Sequence, residues 1–154
     1  MEWHFYSFGE FHGPYSLERI LELTSELPQL FPMAAGANDE QLSVLVKHPK
    51  IIGLAIVSPG VTVAATATLR ALPRLRELIL CGPAITDDFL LGLSSITTLQ
   101  DITLIHTACS KKGVGDFVGY LSECKVYRAG ADSILPASLR KELQMFVSGE
   151  IVSR

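Results

Sequence analysis

Residues 75–80 read Leu75-Arg76-Glu77-Leu78-Ile79-Leu80, an apolar-x-x-apolar-x-apolar pattern that decides the fold because it recurs at an even step. Ile51-Ile52-Gly53-Leu54-Ala55-Ile56 precedes it and Leu99-Gln100-Asp101-Ile102-Thr103-Leu104 follows it, so the three copies start at 51, 75 and 99. The alternation that ends each copy suits a strand with one face turned inward. A fixed period of this length is the mark of stacked supersecondary units and is read before any other feature.

The register runs on past these copies. Pro59, Pro83 and Thr107 share a column, and Val61, Ile85 and Cys109 share another. Thr62, Thr86 and Ser110 follow, each a hydroxyl residue placed to accept from an orphan amide of a helix's first turn. Asp87 and Asp88 put negative charge at the positive end of the middle helix, whereas Lys111 and Lys112 do the opposite in the next. Thr66, Leu90 and Val114, then Leu69, Leu93 and Phe117, then Leu72, Ile96 and Tyr120 fall at helical spacing. One unit is therefore strand, turn, cap and helix. It buries no core alone, but stacked copies bury a continuous one.

The register extends weakly in both directions. Asn38 is a cap residue one period before Thr62, with Gln41 placed after it as a capping box requires. Leu27, Leu30 and Phe31 read as a degraded strand broken by Pro28 and Pro32, and Cys124-Lys125-Val126-Tyr127 reads as a last strand.

These residues resemble the leucine-rich-repeat family, in particular its short ribonuclease-inhibitor-like repeats. The stretch LPRLRELILCGPAITDDFLLGLSSI at 72–96 looks like one whole unit, and GVGDFVGYLSECKVYR at 113–128 looks like the end of an array. The resemblance covers about 38–128. It implies an α/β fold: a short leucine-rich-repeat solenoid with a parallel sheet and helices on one side. The family's asparagine or cysteine after the strand is replaced by Pro59, Pro83 and Thr107, so the turn must be satisfied in another way. The resemblance specifies fold and leaves function open, because the scaffold serves many partners.

At the N-terminus, Trp3, Gly9 and the run Gly13-Pro14-Tyr15-Ser16-Leu17-Glu18 resemble the start of a GYF-like domain. Of that family's peptide groove only Trp3, Pro14 and Tyr15 have counterparts; its Gly-Tyr-Phe signature and second tryptophan are missing. The residues themselves predict a hairpin, 3–8 and 10–13, then a helix over about 16–26 capped by Ser16. The chain divides into an N-terminal cap (1–37), the repeat array (38–128) and a C-terminal capping helix and tail (129–154). In the last, Ser138 is the cap, Leu139, Leu143, Phe146 and Val147 the apolar face, and Gly149 the stop.

Composition narrows the function. The 154 residues are 48% apolar and 19% charged, a globular balance. A net charge of -3 argues against nucleic acid, which selects a basic patch. No uncharged run is long enough for a bilayer and no signal peptide is visible, so the expectation is a cytoplasmic chain without a membrane partner. Three scattered cysteines, 81, 109 and 124, fit reduced thiols better than a disulfide scaffold.

No constellation for catalysis is legible. His106, Cys109 and Cys81 lack zinc-ligand spacing, and Cys109 sits in an apolar column. Ser110, His106 and Asp101 make a triad on paper only, with neither nucleophile elbow nor oxyanion hole. Gly113-Val114-Gly115 lacks a phosphate-loop pattern. The chain reads as no enzyme, with no cofactor and no metal.

The expected function is protein–protein interaction through the concave sheet face. Ala55 and Val57, Ile79 and Cys81, and Thr103 and Ile105 flank the inward positions and are expected to face solvent, with Tyr127 in the last strand. Glu77, Asp101 and Lys125 line one margin and His106 the other. So apolar a stripe marks either an interface, with another protein or a second copy forming a homodimer, or a surface that a terminal segment covers. The alternative is a regulatory domain: Ser110-Lys111-Lys112-Gly113-Val114-Gly115 is similar to the Asp-Ser-Ser-Gly-Leu-Gly turn of STAS domains, with Ser110 as the phosphorylated serine and Cys109 where that family has Asp. A sheet of mixed strand order would favour it; a stack in chain order would favour the first reading.

Overall fold

In the computed structural model, which describes residues 2–7 and 10–129, one seven-stranded sheet runs through the chain. Its order is β2-β1-β3-β4-β5-β6-β7. The strands are β1 (Glu2–Ser7), β2 (Glu10–Tyr15), β3 (Pro32–Ala35), β4 (Gly53–Val57), β5 (Glu77–Cys81), β6 (Asp101–Ile105) and β7 (Lys125–Ala129). β1 pairs antiparallel with β2 and β3; from β3 to β7 all pairing is parallel and in chain order. The molecule is thus α/β with five adjacent parallel strands.

The helices are α1 (Leu17–Leu23), α2 (Asp39–Leu42), α3 (Ala65–Arg70), α4 (Asp87–Leu93) and α5 (Lys111–Tyr120), with a 3₁₀ turn at Ser43–Lys47 after α2. Each contributes to one apolar cluster: Ile20, Leu42, Leu69, Leu90 and Phe117 join the strand residues Leu54, Ile56, Leu78, Leu80, Ile102 and Leu104. The columns of the sequence period are therefore layers of this core. Tyr120 departs from its column. Leu72 and Ile96 are buried, but Tyr120 is 65% exposed, because no further described helix lies against α5.

From β4 to β7 the strands pair one full period apart, so that Gly53, Glu77, Asp101 and Lys125 lie side by side. The first step is shorter. Met33 pairs with Ala55, and Leu30 bridges Ile51, so the degraded strand expected around 27–31 begins instead at Pro32. Proline is tolerated as a strand's first residue, where its missing N–H breaks no ladder. The hairpin and helix at the N-terminus occur as expected, with the helix ending at Leu23. Ser16 Oγ accepts from Arg19 N. The expected C-terminal helix around Ser138, Leu139, Leu143, Phe146, Val147 and Gly149 lies outside the described residues.

Caps explain most helix starts. Asn38 and Gln41 form the capping box, Thr86 Oγ1 accepts from Phe89 N and Ser110 Oγ from Gly113 N. Thr62 is the exception: α3 starts at Ala65, and Thr62 Oγ1 accepts from Ala64 N in a tight turn. The turn after β4 is closed by Ser58, whose Oγ donates to Ala37 O and accepts from Gly60 N, and those after β3 and β5 are closed by backbone. Gly36 N donates to Val57 O and Gly82 N to Ile105 O, tying each turn to the next strand.

Two aspartates link successive segments. Asp39 accepts from Thr62 N and Thr62 Oγ1, and Asp87 accepts from Ser110 N (2.7 Å) and Ser110 Oγ (2.6 Å). From sequence alone Asp87 reads merely as part of a solvated first turn. The two carboxylates stand two periods apart; between them is Val63, whose side chain accepts nothing.

Candidate functional site

Alternation along each strand gives the sheet a second face. Gly53, Ala55 and Val57, then Glu77, Ile79 and Cys81, then Asp101, Thr103 and Ile105 share it, with Lys125 and Tyr127 on β7. All described helices pack on the opposite face.

The expectation that the apolar residues here are open to solvent is corrected. Ala55, Val57, Ile79, Cys81 and Ile105 are all buried and form a second cluster with Met33, against which Phe31 packs. Thr103 is only 8% exposed. The physical reason is the one that made the stripe conspicuous, since apolar area of this extent is costly to leave in water. Phe31 also explains Gly53: a Cβ there would run into its ring.

What stays accessible is the margin. Glu77 and Tyr127 are exposed, Asp101 is half-buried, and Lys125 is exposed. At the other margin His106 is exposed and holds φ of 50°, in the column where Gly82 has φ of 114°.

Glu77 and Asp101 are register partners on neighbouring strands, a like-charged juxtaposition that opposes sheet formation. Partial burial, reinforced by the Asp101 charge, holds the Glu77 carboxyl above its ordinary pKa, and Arg76 offsets this in part. Among the described residues neither carboxylate forms an ion pair. Burial, with Asp101 adding to it, also raises the Cys124 thiol to about 11, so it stays protonated and unreactive at neutral pH. Cys109 is raised by burial too, and its Sγ donates to Ile85 O, 24 residues earlier and so one period back.

Thr103 stands at the inner edge of this margin. The other buried hydroxyls mostly donate to backbone carbonyls: Thr24 to Ile20, Ser58 to Ala37 and Thr66 to Val63. Among the buried hydroxyls of the described residues, only Thr103 Oγ1 and that of Thr68 on α3 have no hydrogen-bond partner. Sequence alone singles out Thr103 for its position but does not show the hydroxyl left over.

A second concavity lies by the hairpin. Trp3, Pro14 and Tyr15, the residues matched to a peptide groove, come together there with Leu17, Leu21 and His48 in a groove of roughly 960 Å³. Trp3 is 3% exposed and Tyr15 39%, so Tyr15 offers most of the aromatic surface. Burial, aided by the Lys47 charge, keeps the His48 imidazole below its ordinary pKa.

Ser110, the residue of the regulatory alternative, caps α5 while both its N–H and O–H donate to Asp87. These two hydrogen bonds lower the Asp87 pKa. Among the described residues no cluster of three or more His, Cys, Asp or Glu could hold a metal, and no helix is long and apolar enough to cross a membrane. No family model, no curated protein and no solved structure matches the chain.

Proposed function

We propose that this chain is a protein–protein interaction module built as a short leucine-rich-repeat solenoid, and that it engages its partner along the accessible margin of the face opposite the described helices. The reading is supported above all by strand order: five parallel strands in chain order, with register partners one full period apart from β4 to β7. A stack of this kind presents side chains from successive segments in a row, here Glu77, Asp101 and Lys125, with Tyr127 beside them. Tyrosine at such an edge has the composition of an interface anchor. The partner is another protein or a second copy of the chain, in the cytoplasm, and the module carries out no reaction of its own.

The same strand order counts against the regulatory alternative, which needs a mixed one. Ser110 also argues against it locally, since a phosphoryl group there would sit against the Asp87 carboxylate.

Affinity capture with the wild type and with Tyr127→Ala plus Asp101→Lys tests the proposal. Partners held by the wild type and lost by the variant, with both proteins folded by circular dichroism, support it. Equal recovery removes it. Light scattering on the same samples separates a second copy from a different protein. A second reading, favoured by the groove at Trp3, Pro14 and Tyr15, moves the partner there; it requires Tyr15→Ala to abolish capture while Tyr127→Ala leaves it intact.

A further inference from the structure

We propose that the N-terminal ends of β5 and β6 form a seat for an arginine side chain of the protein partner, its guanidinium held between Glu77 and Asp101 and hydrogen-bonded to Thr103 Oγ1. The inference rests on the interaction-module reading and specifies the partner's chemistry at that margin.

Two independent observations meet here. The first is charge. Glu77 and Asp101 are paired in register, and neighbouring strands lie about 4.8 Å apart, so one planar cation spans both carboxylates. Their cationic neighbours, Arg76 and Lys125, flank the pair without forming an ion pair with either among the described residues. The second is the hydroxyl. Thr103 follows Asp101 on the same face of β6, and it is 8% exposed with Oγ1 unpartnered among the described residues. A buried polar group left unsatisfied costs free energy that a ligand donor recovers.

The donor inventory selects the cation. Two carboxylates and a hydroxyl demand several donors in one plane, which a guanidinium supplies with five N–H groups in a fixed fork. An ammonium offers a point charge and reaches fewer acceptors. A hard metal ion wants six or more oxygens, and the margin offers two carboxylates and one hydroxyl. The chain's net charge of -3 adds long-range attraction for a basic partner.

The test uses the full chain. A displayed heptapeptide library is selected on it, and the enriched peptide is synthesised and titrated calorimetrically. Enriched peptides carry arginine. Glu77→Gln, Asp101→Asn and replacement of the peptide's arginine by citrulline each weaken binding by about tenfold or more, the scale of one charge-assisted hydrogen bond. Thr103→Val weakens binding while raising the melting temperature, because it removes an unsatisfied hydroxyl; a merely structural role moves both the same way.

Peptides that depend on Tyr127 but lack arginine, or that bind Glu77→Gln and Asp101→Asn as tightly as wild type, overturn the seat and leave the module reading standing. Lysine peptides of equal affinity overturn the guanidinium assignment. Calcium binding that is lost in Glu77→Gln, with peptides indifferent to arginine, makes the pair a metal site and overturns it as well. No enrichment ends the seat, and binding untouched by Tyr127→Ala, Glu77→Gln and Asp101→Asn alike ends both proposals.

Discussion

The two faces of the sheet are built from alternate residues of the same strands, yet they behave differently. On the helix side, the strand positions of β4, β5 and β6 are all Leu or Ile, and they join one continuous cluster. On the other side of the same strands, apolar residues are mixed with a glycine, two carboxylates and a threonine, and the buried cluster is small. The first face repeats a packing solution; the second varies residue by residue, as a surface with a specific task does. Removing side chains tests whether this difference is energetic. Leu104→Ala, on the helix side, is expected to cost about 4 kcal/mol, and Ile105→Ala, its neighbour on the other face, about 2 kcal/mol. Urea denaturation of both variants measures it. Equal losses would mean that both faces are packed alike and would break the comparison.

The sequence disclosed the first face far better than the second, for physical reasons. Helix-side positions obey a period, and Leu78, Leu80, Ile102 and Leu104 can be aligned by eye. The caps Asn38, Thr86 and Ser110 are equally legible, because a hydroxyl or amide before a helix has one dominant use. Thr62 misleads: α3 starts later than its register implies, so the same hydroxyl serves a turn. The second face obeys only alternation, which says that Ala55, Val57 and Ile79 point away from the helices and nothing about whether they meet water. Pairing of Asp39 with Thr62 and Asp87 with Ser110 is invisible for a different reason. Such contacts cross between segments, and only the recurrence of Asp two periods apart hints at them.

Helix packing sharpens the comparison next. A Cβ on Gly113 would strike the Asp87 carboxylate, whereas a Cβ on Gly115 would meet nothing within 4 Å. Both glycines lie in α5, separated only by Val114. Gly113→Ala is expected to bring little or no stability, since its Cβ displaces the Asp87 carboxylate from Ser110 and this offsets the helix propensity of alanine. Gly115→Ala is expected to stabilise by roughly 0.8 kcal/mol, the helix propensity gained. Thermal unfolding places Gly113→Ala below Gly115→Ala if α4 and α5 approach this closely.

A smaller effect follows from the same link, read through pH. The hydrogen bonds from the Ser110 side chain and backbone hold the Asp87 pKa below its ordinary value. The carboxylate therefore stabilises the fold above the ordinary range, and the contribution disappears as pH falls through the lowered pKa. Asp87→Asn should unfold at a lower temperature than wild type at pH 7, with the two converging in strong acid. The group is partly open to solvent, so the gap is modest and shrinks with salt.

Glu77 carries the opposite sign, and its effect is the smallest. Its pKa is raised by partial burial and by Asp101, so the ionised form opposes folding. That penalty is present above the raised pKa and vanishes as pH falls below the ordinary carboxyl value. Glu77→Gln should therefore be more stable than wild type at pH 7, by ~0.5 kcal/mol as for a like-charged cross-strand pair, and the advantage should close in acid. A variant that gains stability while losing partner affinity would identify the margin as a place where folding is traded against recognition. Were Glu77→Gln less stable at neutral pH, the carboxylates would be satisfied within the chain, and the two faces would differ in composition but not in purpose.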